Sequence, residues 1–182
     1  MAPRVRILCI GILALAAGAG LFAGIDWETA PAANPVEVGK VAWGRDFDAG
    51  QAASRASGKP MLVLFQEVPG CKGCQRFGRE VMSDPRIVKA IQENFTAVLI
   101  CNNHPGKDEE VLKRFGEPAW NYQVVRFLTA DGRDLIPRED QVWTVPALAA
   151  RMVKALDVAR QPAPAELRAA QTASPRSSAA PP

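Results

Sequence analysis

Five consecutive apolar residues, Met61-Leu62-Val63-Leu64-Phe65, lead through a short loop into two cysteines separated by two residues, and no other stretch limits the fold so narrowly. Lys59-Pro60 breaks the chain before the run, and Glu67-Val68-Pro69-Gly70 breaks it after. An apolar run of this length without alternation, bounded by breakers, reads as a strand buried on both faces. Cys71 and Cys74 follow the loop. Cys74, Phe77, Val81 and Met82 then fall on one side at helical spacing, so the pair opens a helix at the end of the strand.

The surrounding segments supply layers for that strand. Residues 46–57 are rich in Ala and end at Gly58, the pattern of a helix closed by a C′ glycine. Gly78 weakens the cysteine helix by roughly 1 kcal/mol relative to Ala. Ser83-Asp84-Pro85 stops that helix and starts another, with Asp84 as N-cap and Pro85 in the first helical position. Ile87, Val88 and Ile91 form its apolar face. Residues 96–101 read as a second buried strand, 108–115 as a short helix and 124–128 as a third strand. Asp131-Gly132 is a hairpin turn signal with 134–136 as the returning strand. Thr144 caps a last helix that carries Pro146 in its first turn and Leu148, Met152, Ala155, Leu156 and Ala159 along one face. A βαβ half followed by a ββα half is the α/β arrangement of the thioredoxin fold, a central mixed sheet of about four to five strands flanked by helices. A C-x-x-C in such a unit reads as a redox motif.

Dithiol–disulfide exchange needs an exposed thiolate and a second thiol close enough to resolve the mixed disulfide. On the first turn of a helix, two intervening residues put both sulfurs at one end. The first cysteine then sits over unpaired backbone N–H groups at the positive end of the dipole. Thiols so placed are shifted from about 8.5 towards roughly 3.5–7.5, and Lys72 adds positive charge. Cys71 is therefore expected to be the nucleophile and Cys74 the buried resolving thiol, in an enzyme that needs no cofactor. The competing reading is a structural disulfide or part of a copper or zinc site, with Cys71, Cys74 and His104 as ligands; thiolates select Cu(I) or zinc. Cys101-x-x-His104 has ligand-like spacing, although Cys101 ends an apolar strand and reads as a small core hydrophobe.

Gly58-Lys59-Pro60-Met61-Leu62-Val63, the C-x-x-C, and Val81-Met82-Ser83-Asp84-Pro85-Arg86-Ile87-Val88 together resemble the C-terminal thioredoxin-like domain of the DsbD electron carrier. The likeness extends through Phe95-Thr96-Ala97-Val98 to Phe127-Leu128-Thr129-Ala130-Asp131-Gly132. Val68-Pro69-Gly70-Cys71 is similar to small bacterial thioredoxin-like proteins in which Val-Pro-Gly precedes selenocysteine or cysteine, which puts Cys71 in the attacking position. The resemblance implies a disulfide-bearing protein substrate or redox partner. Pro69, Gly70, Lys72, Tyr122 and Gln123 are expected beside it, and Trp120 is a further candidate for the groove. Three departures stand out. Gly70 replaces the usual Trp before the first cysteine. Phe65 occupies the place of the buried strand acid, leaving Glu67 as a candidate proton acceptor. Neither Tyr122 nor Gln123 is the proline that normally faces the cysteines in the cis form, so ordinary thioredoxin-like substrate binding is not expected.

The ends read differently from the domain of residues 40–160. Arg4 and Arg6 precede nineteen uncharged residues, 7–25, and Asp26 and Glu28 follow. This is a signal peptide with a small-residue site at Ala17-Gly18-Ala19, or an N-terminal membrane anchor. Either places the rest outside the cytoplasm, in the periplasm or its equivalent. Cys9 precedes most of the apolar run and so is not a lipoprotein-type cysteine. Residues 26–39 read as a linker and 161–182, with five Pro and seven Ala, as a disordered tail. The net charge of +3 includes Arg4 and Arg6; without them 22 − 2 = 20 basic residues face 19 acidic ones, which gives no electrostatic case for nucleic acid.

Overall fold

The computed structural model describes residues 34–120 and 123–172. Leader, anchor and Cys9 lie outside the described residues, as do Tyr122 and the last ten residues of the tail. Three strands form one sheet: β1 (Met61–Gln66), β2 (Thr96–Cys101) and β3 (Val124–Leu128), in the order β2-β1-β3. β1 and β2 run parallel with Met61 opposite Thr96, and β3 runs antiparallel with Phe65 opposite Val124. Every residue of β1 is buried, as its unbroken apolar pattern requires.

Among the described residues six helices surround the sheet: α1 (Phe47–Ser57), α2 (Lys72–Glu80), α3 (Pro85–Asn94), α4 (Lys107–Phe115), α5 (Val145–Val158) and α6 (Ala165–Ala170), the last packed on other helices. The pleat sends alternate residues to opposite faces. Leu62, Leu64, Leu99 and Phe127 pack with Phe77, Ile91, Met152 and Leu167. Met61, Val63, Phe65, Val98 and Ile100 pack on the other face with Phe47 and Leu112, and the Phe115 ring closes on Phe65. The expected caps are present: Asp46 and Thr144 accept from Ala49 and Ala147, Asp84 accepts from Arg86, and Gly58 closes α1 in the left-handed conformation.

Sequence expectations are corrected at three places. The returning strand at 134–136 shrinks to a single bridge between Leu128 and Asp134. The turn closes with Thr129 N–H bonded to Arg133 O and Leu135 N–H to Phe127 O, after which Pro137 has no N–H to continue the ladder. The sheet thus has three strands with one-residue bridges at its edges, the other being Gly44 to Val98. Second, the tail does not begin at 161: α6 packs on α3 and α5 because Leu167 and Ala170, three apart, bury completely. Third, residues 34–39 are not a free linker. A 3-10 turn, Val36–Val38, lies against α2 with Val38 buried.

That turn fits only because of Gly78. A Cβ on Gly78 would lie 1.9 Å from the Val36 carbonyl oxygen and 2.5 Å from the Glu37 carbonyl carbon, both backbone atoms that cannot swing away. Gly78→Ala is therefore expected to destabilise the fold by at least about 1–3 kcal/mol. In a urea titration the midpoint should drop with little change in slope; an unchanged midpoint would mean the turn is not held against the helix.

Candidate active site

The end of β1 and the start of α2 bring the cysteines together. Cys71 is the N-cap residue of α2 and is exposed, whereas Cys74, one turn on, is 1 % exposed. Their Sγ atoms are 3.3 Å apart, a thiol hydrogen-bond distance. The loop that delivers Cys71 is held by three side chains from two other segments. Val68 N–H donates to Asn103 Oδ1 at 3.0 Å, and Asn103 Nδ2 donates to Pro69 O at 3.3 Å. His104 Nε2 lies 2.8 Å from Val68 O, and Gly70 N–H donates to Glu37 Oε1 at 3.1 Å. The Val68–Pro69 peptide is cis.

Gly70 has a steric cause. A Cβ there would come within 2.4 Å of Glu67 O and 2.8 Å of Cys74 Cβ, so the position usually held by Trp has no room for a side chain. Phe65, where a buried acid was absent from the sequence, is fully buried. The polar role beneath the pair passes to its neighbour. Gln66 donates through Nε2 to Glu37 O at 2.7 Å and Cys74 O at 3.3 Å. Its Oε1 is buried without a partner among the described residues.

The two thiols differ in their electrostatics. The Cys74 amide and then the Cys74 thiol, both directed at the Cys71 sulfur, hold Cys71 below its ordinary value of 9.0, against opposing desolvation and the charge of Glu67. Burial, with the Cys71 hydrogen bond, pushes Cys74 up to about 12. Of the three cysteines among the described residues, iodoacetamide is therefore expected to modify only Cys71 near pH 7 in the reduced, folded protein. The rate should climb with pH through a midpoint below 9.0 and level off once the thiolate is fully formed. Burial also pushes Cys101 up, so it should not compete. Equal labelling of Cys71 and Cys74, read by peptide mass spectrometry, would refute this assignment.

A carboxylate oxygen of Glu67 and both sulfurs lie within 4.8 Å of one another. His104 does not join them; it groups with Cys101 and Asp108 instead. The ligand set Cys71, Cys74 and His104 is therefore not assembled, because His104 is tied to the Val68 carbonyl. Of the other expected neighbours, Gln123 is buried and shares a shallow groove with Cys71, Gly73, Arg76, Phe77 and Trp143. Pro69 and Lys72 are exposed around the pair, and Trp120 is exposed without lining that groove. Glu37, Gln66, Asn103, Arg76 and Trp143 were not foreseen. Only Arg76 carried a local signal, one turn beyond Lys72 on the cysteine helix.

Residues 42–130 match the thioredoxin-like family profile. Among solved structures, a DsbH oxidoreductase superposes with a TM-score of 0.53 at 16 % identity, over 71 % of this chain and 94 % of that one. No curated protein matches the sequence. At this identity the superposition speaks to the fold, which is the mixed sheet with flanking helices expected from the order of elements.

Proposed function

The chain carries a thioredoxin-like domain, and on that premise we propose that it is a thiol–disulfide oxidoreductase in which Cys71 attacks and Cys74 resolves. The observation that carries this is the asymmetry of the pair: an exposed thiol held low beside a buried thiol held high, 3.3 Å away. A structural disulfide would need neither feature.

The steps follow from that asymmetry. The Cys71 thiolate attacks one sulfur of a substrate disulfide, forming a mixed disulfide and releasing the other sulfur as thiolate. Cys71 then carries no charge and no longer needs the Cys74 proton. Two of the influences that raise Cys74, its hydrogen bond to Cys71 and the Cys71 charge, disappear at that moment. Cys74 gives its proton to Glu67, the carboxylate within 4.8 Å of it. The new thiolate attacks Cys71 Sγ and expels the second substrate thiolate. The substrate has then gained two electrons and the protein holds a Cys71–Cys74 disulfide. The reverse sequence oxidises a substrate dithiol. Stabilising the Cys71 thiolate stabilises the reduced protein and so makes the couple more oxidising.

The groove formed by Phe77, Gln123 and Trp143 with Arg76 supports a protein disulfide or redox partner as substrate. The lack of a proline at either Tyr122 or Gln123 favours a specialised partner. The basic start and apolar run of residues 7–25 support an extracytoplasmic location. Among the described residues no helix is long and apolar enough to cross a membrane. The proposal is tested by adding the reduced protein with dithiothreitol to insulin. Faster B-chain precipitation than with dithiothreitol alone is expected, and no acceleration would overturn the reading.

A further inference from the structure

Behind the active-site loop lies a second group of donor side chains that the exchange chemistry does not use. Cys101 ends β2, His104 sits in the loop after it, and Asp108 is in the first turn of α4. One ligand atom from each lies within 4.8 Å of the other two, and Cys101 and Asp108 are buried. We propose that Cys101, His104 and Asp108 form a binding site for a zinc-class divalent cation, with water completing the coordination.

The arrangement around each donor favours this reading. The Val68 carbonyl can only accept, so His104 Nε2, 2.8 Å from it, carries the ring proton and Nδ1 keeps the lone pair. Metal-binding histidines are held this way, with the second ring nitrogen donated to a carbonyl or carboxylate. Asp108 is oriented too: Arg45 Nη2 at 2.7 Å and the Cys101 N–H at 2.9 Å both bond Oδ2, and the Cys101 thiol bonds the same carboxylate, so a cation would take the place of the thiol proton between them. Arg45 is itself steadied by Leu99 O at 2.6 Å. Before metal enters, the Asp108 carboxylate is balanced by Arg45 and Cys101 holds its proton; the thiolate formed on coordination then gives the site one net negative charge against the cation. One sulfur, one nitrogen and one oxygen suit zinc, whereas magnesium and calcium take oxygen ligands. Bond lengths of about 2.0–2.3 Å place tetrahedral ligand atoms roughly 3.3–3.8 Å apart, so donors that lie within 4.8 Å of one another need to close by at most about 1.5 Å. Coordination releases the Cys101 proton to solvent.

The test removes the redox pair, so that its outcome is independent of the exchange activity. Reduced full-length protein carrying Cys71→Ser and Cys74→Ser is titrated with Co(II) as the spectroscopic stand-in for zinc. One equivalent is expected to bind with a sulfur-to-cobalt charge-transfer band in the near ultraviolet, and zinc should displace it. Adding Cys101→Ser should abolish the band. Adding His104→Ala, an exposed position whose loss leaves the core intact, should weaken binding at least as much as the roughly 10- to 100-fold typical of losing an outer-shell partner. Absence of the sulfur band in the double variant would overturn the proposal. So would an affinity unchanged by His104→Ala.

Discussion

Cys71→Ser is expected to bring disulfide exchange down to the uncatalysed rate, while Cys74→Ser should stop it at the mixed disulfide. A serine hydroxyl cannot form the bond to a substrate sulfur, and no other thiol among the described residues can take over. Cys74 is 1 % exposed and pushed up to about 12, and Cys101 is 3 % exposed with its thiol also raised by burial. In Cys74→Ser the attacking thiolate survives but loses the S–H that contributes to holding it low, so the first step should slow somewhat and the second should not occur. Incubation with a peptide disulfide then accumulates a covalent adduct of protein and one peptide half, visible as a mass increase that dithiothreitol removes. Cys71→Ser should form no such adduct. Retention of most of the turnover in Cys71→Ser would remove the assignment of the nucleophile. An adduct on Cys74 instead would reverse the roles.

How far this chemistry can be read from the sequence depends on whether the determinant is local. β1 and β2 are mostly unbroken apolar runs, β3 is apolar apart from Arg126, and Asp46, Asp84 and Thr144 sit where an N-cap must sit, so strands and helix starts follow from neighbours a few residues apart. The strand that leads through a four-residue loop to the C-x-x-C places the two sulfurs at the start of α2, and their spacing supplies the asymmetry. What escapes is anything built by residues far apart in the chain. Glu37 reaches Gly70 over 33 positions and Asn103 reaches Val68 over 35. Neither has a local pattern, and residues 34–39 look like a tether until Gly78 is seen to leave room for them. α6 was hidden by composition, since two buried side chains three apart are a small signal within a Pro- and Ala-rich stretch. The returning strand at 134–136 was over-read because the Asp-Gly turn is real and only Pro137, one residue further on, ends the pairing.

The same long reach hides a buried ion cluster, and Glu117→Ala is expected to cost about 3–5 kcal/mol, the range for leaving a buried charge without its partner. The Glu117 side chain is fully buried just beyond α4, with Oε1 2.7 Å from both Arg126 Nε and Arg138 Nε and Oε2 2.9 Å from Arg138 Nη2. Arg126 stands in the middle of β3, where the strand pattern calls for an apolar residue. Its guanidinium lies 5.2 Å from the centre of the Phe115 ring, and Nη2 also bonds Phe115 O at 3.0 Å. Removing Glu117 leaves that guanidinium with Asp134, which is more than a third exposed, as its one carboxylate partner among the described residues. Burial alone would raise the Glu117 carboxyl, but Arg138 and Arg126 outweigh it and hold the group below its ordinary value of 4.5. A carboxyl depressed in the folded state contributes stability above its unfolded value and loses it as pH falls through the folded value. The gap between wild type and Glu117→Ala in urea midpoint should therefore be widest near neutral pH and narrow as the solution is acidified below 4.5. A gap that stays constant through that range would mean Glu117 acts by packing alone. Because Arg138 lies in the loop that leads to Trp143 in the groove beside Cys71, the cluster ties one wall of the active site to the sheet. The variant should accordingly lose exchange activity at urea concentrations where the wild type still works.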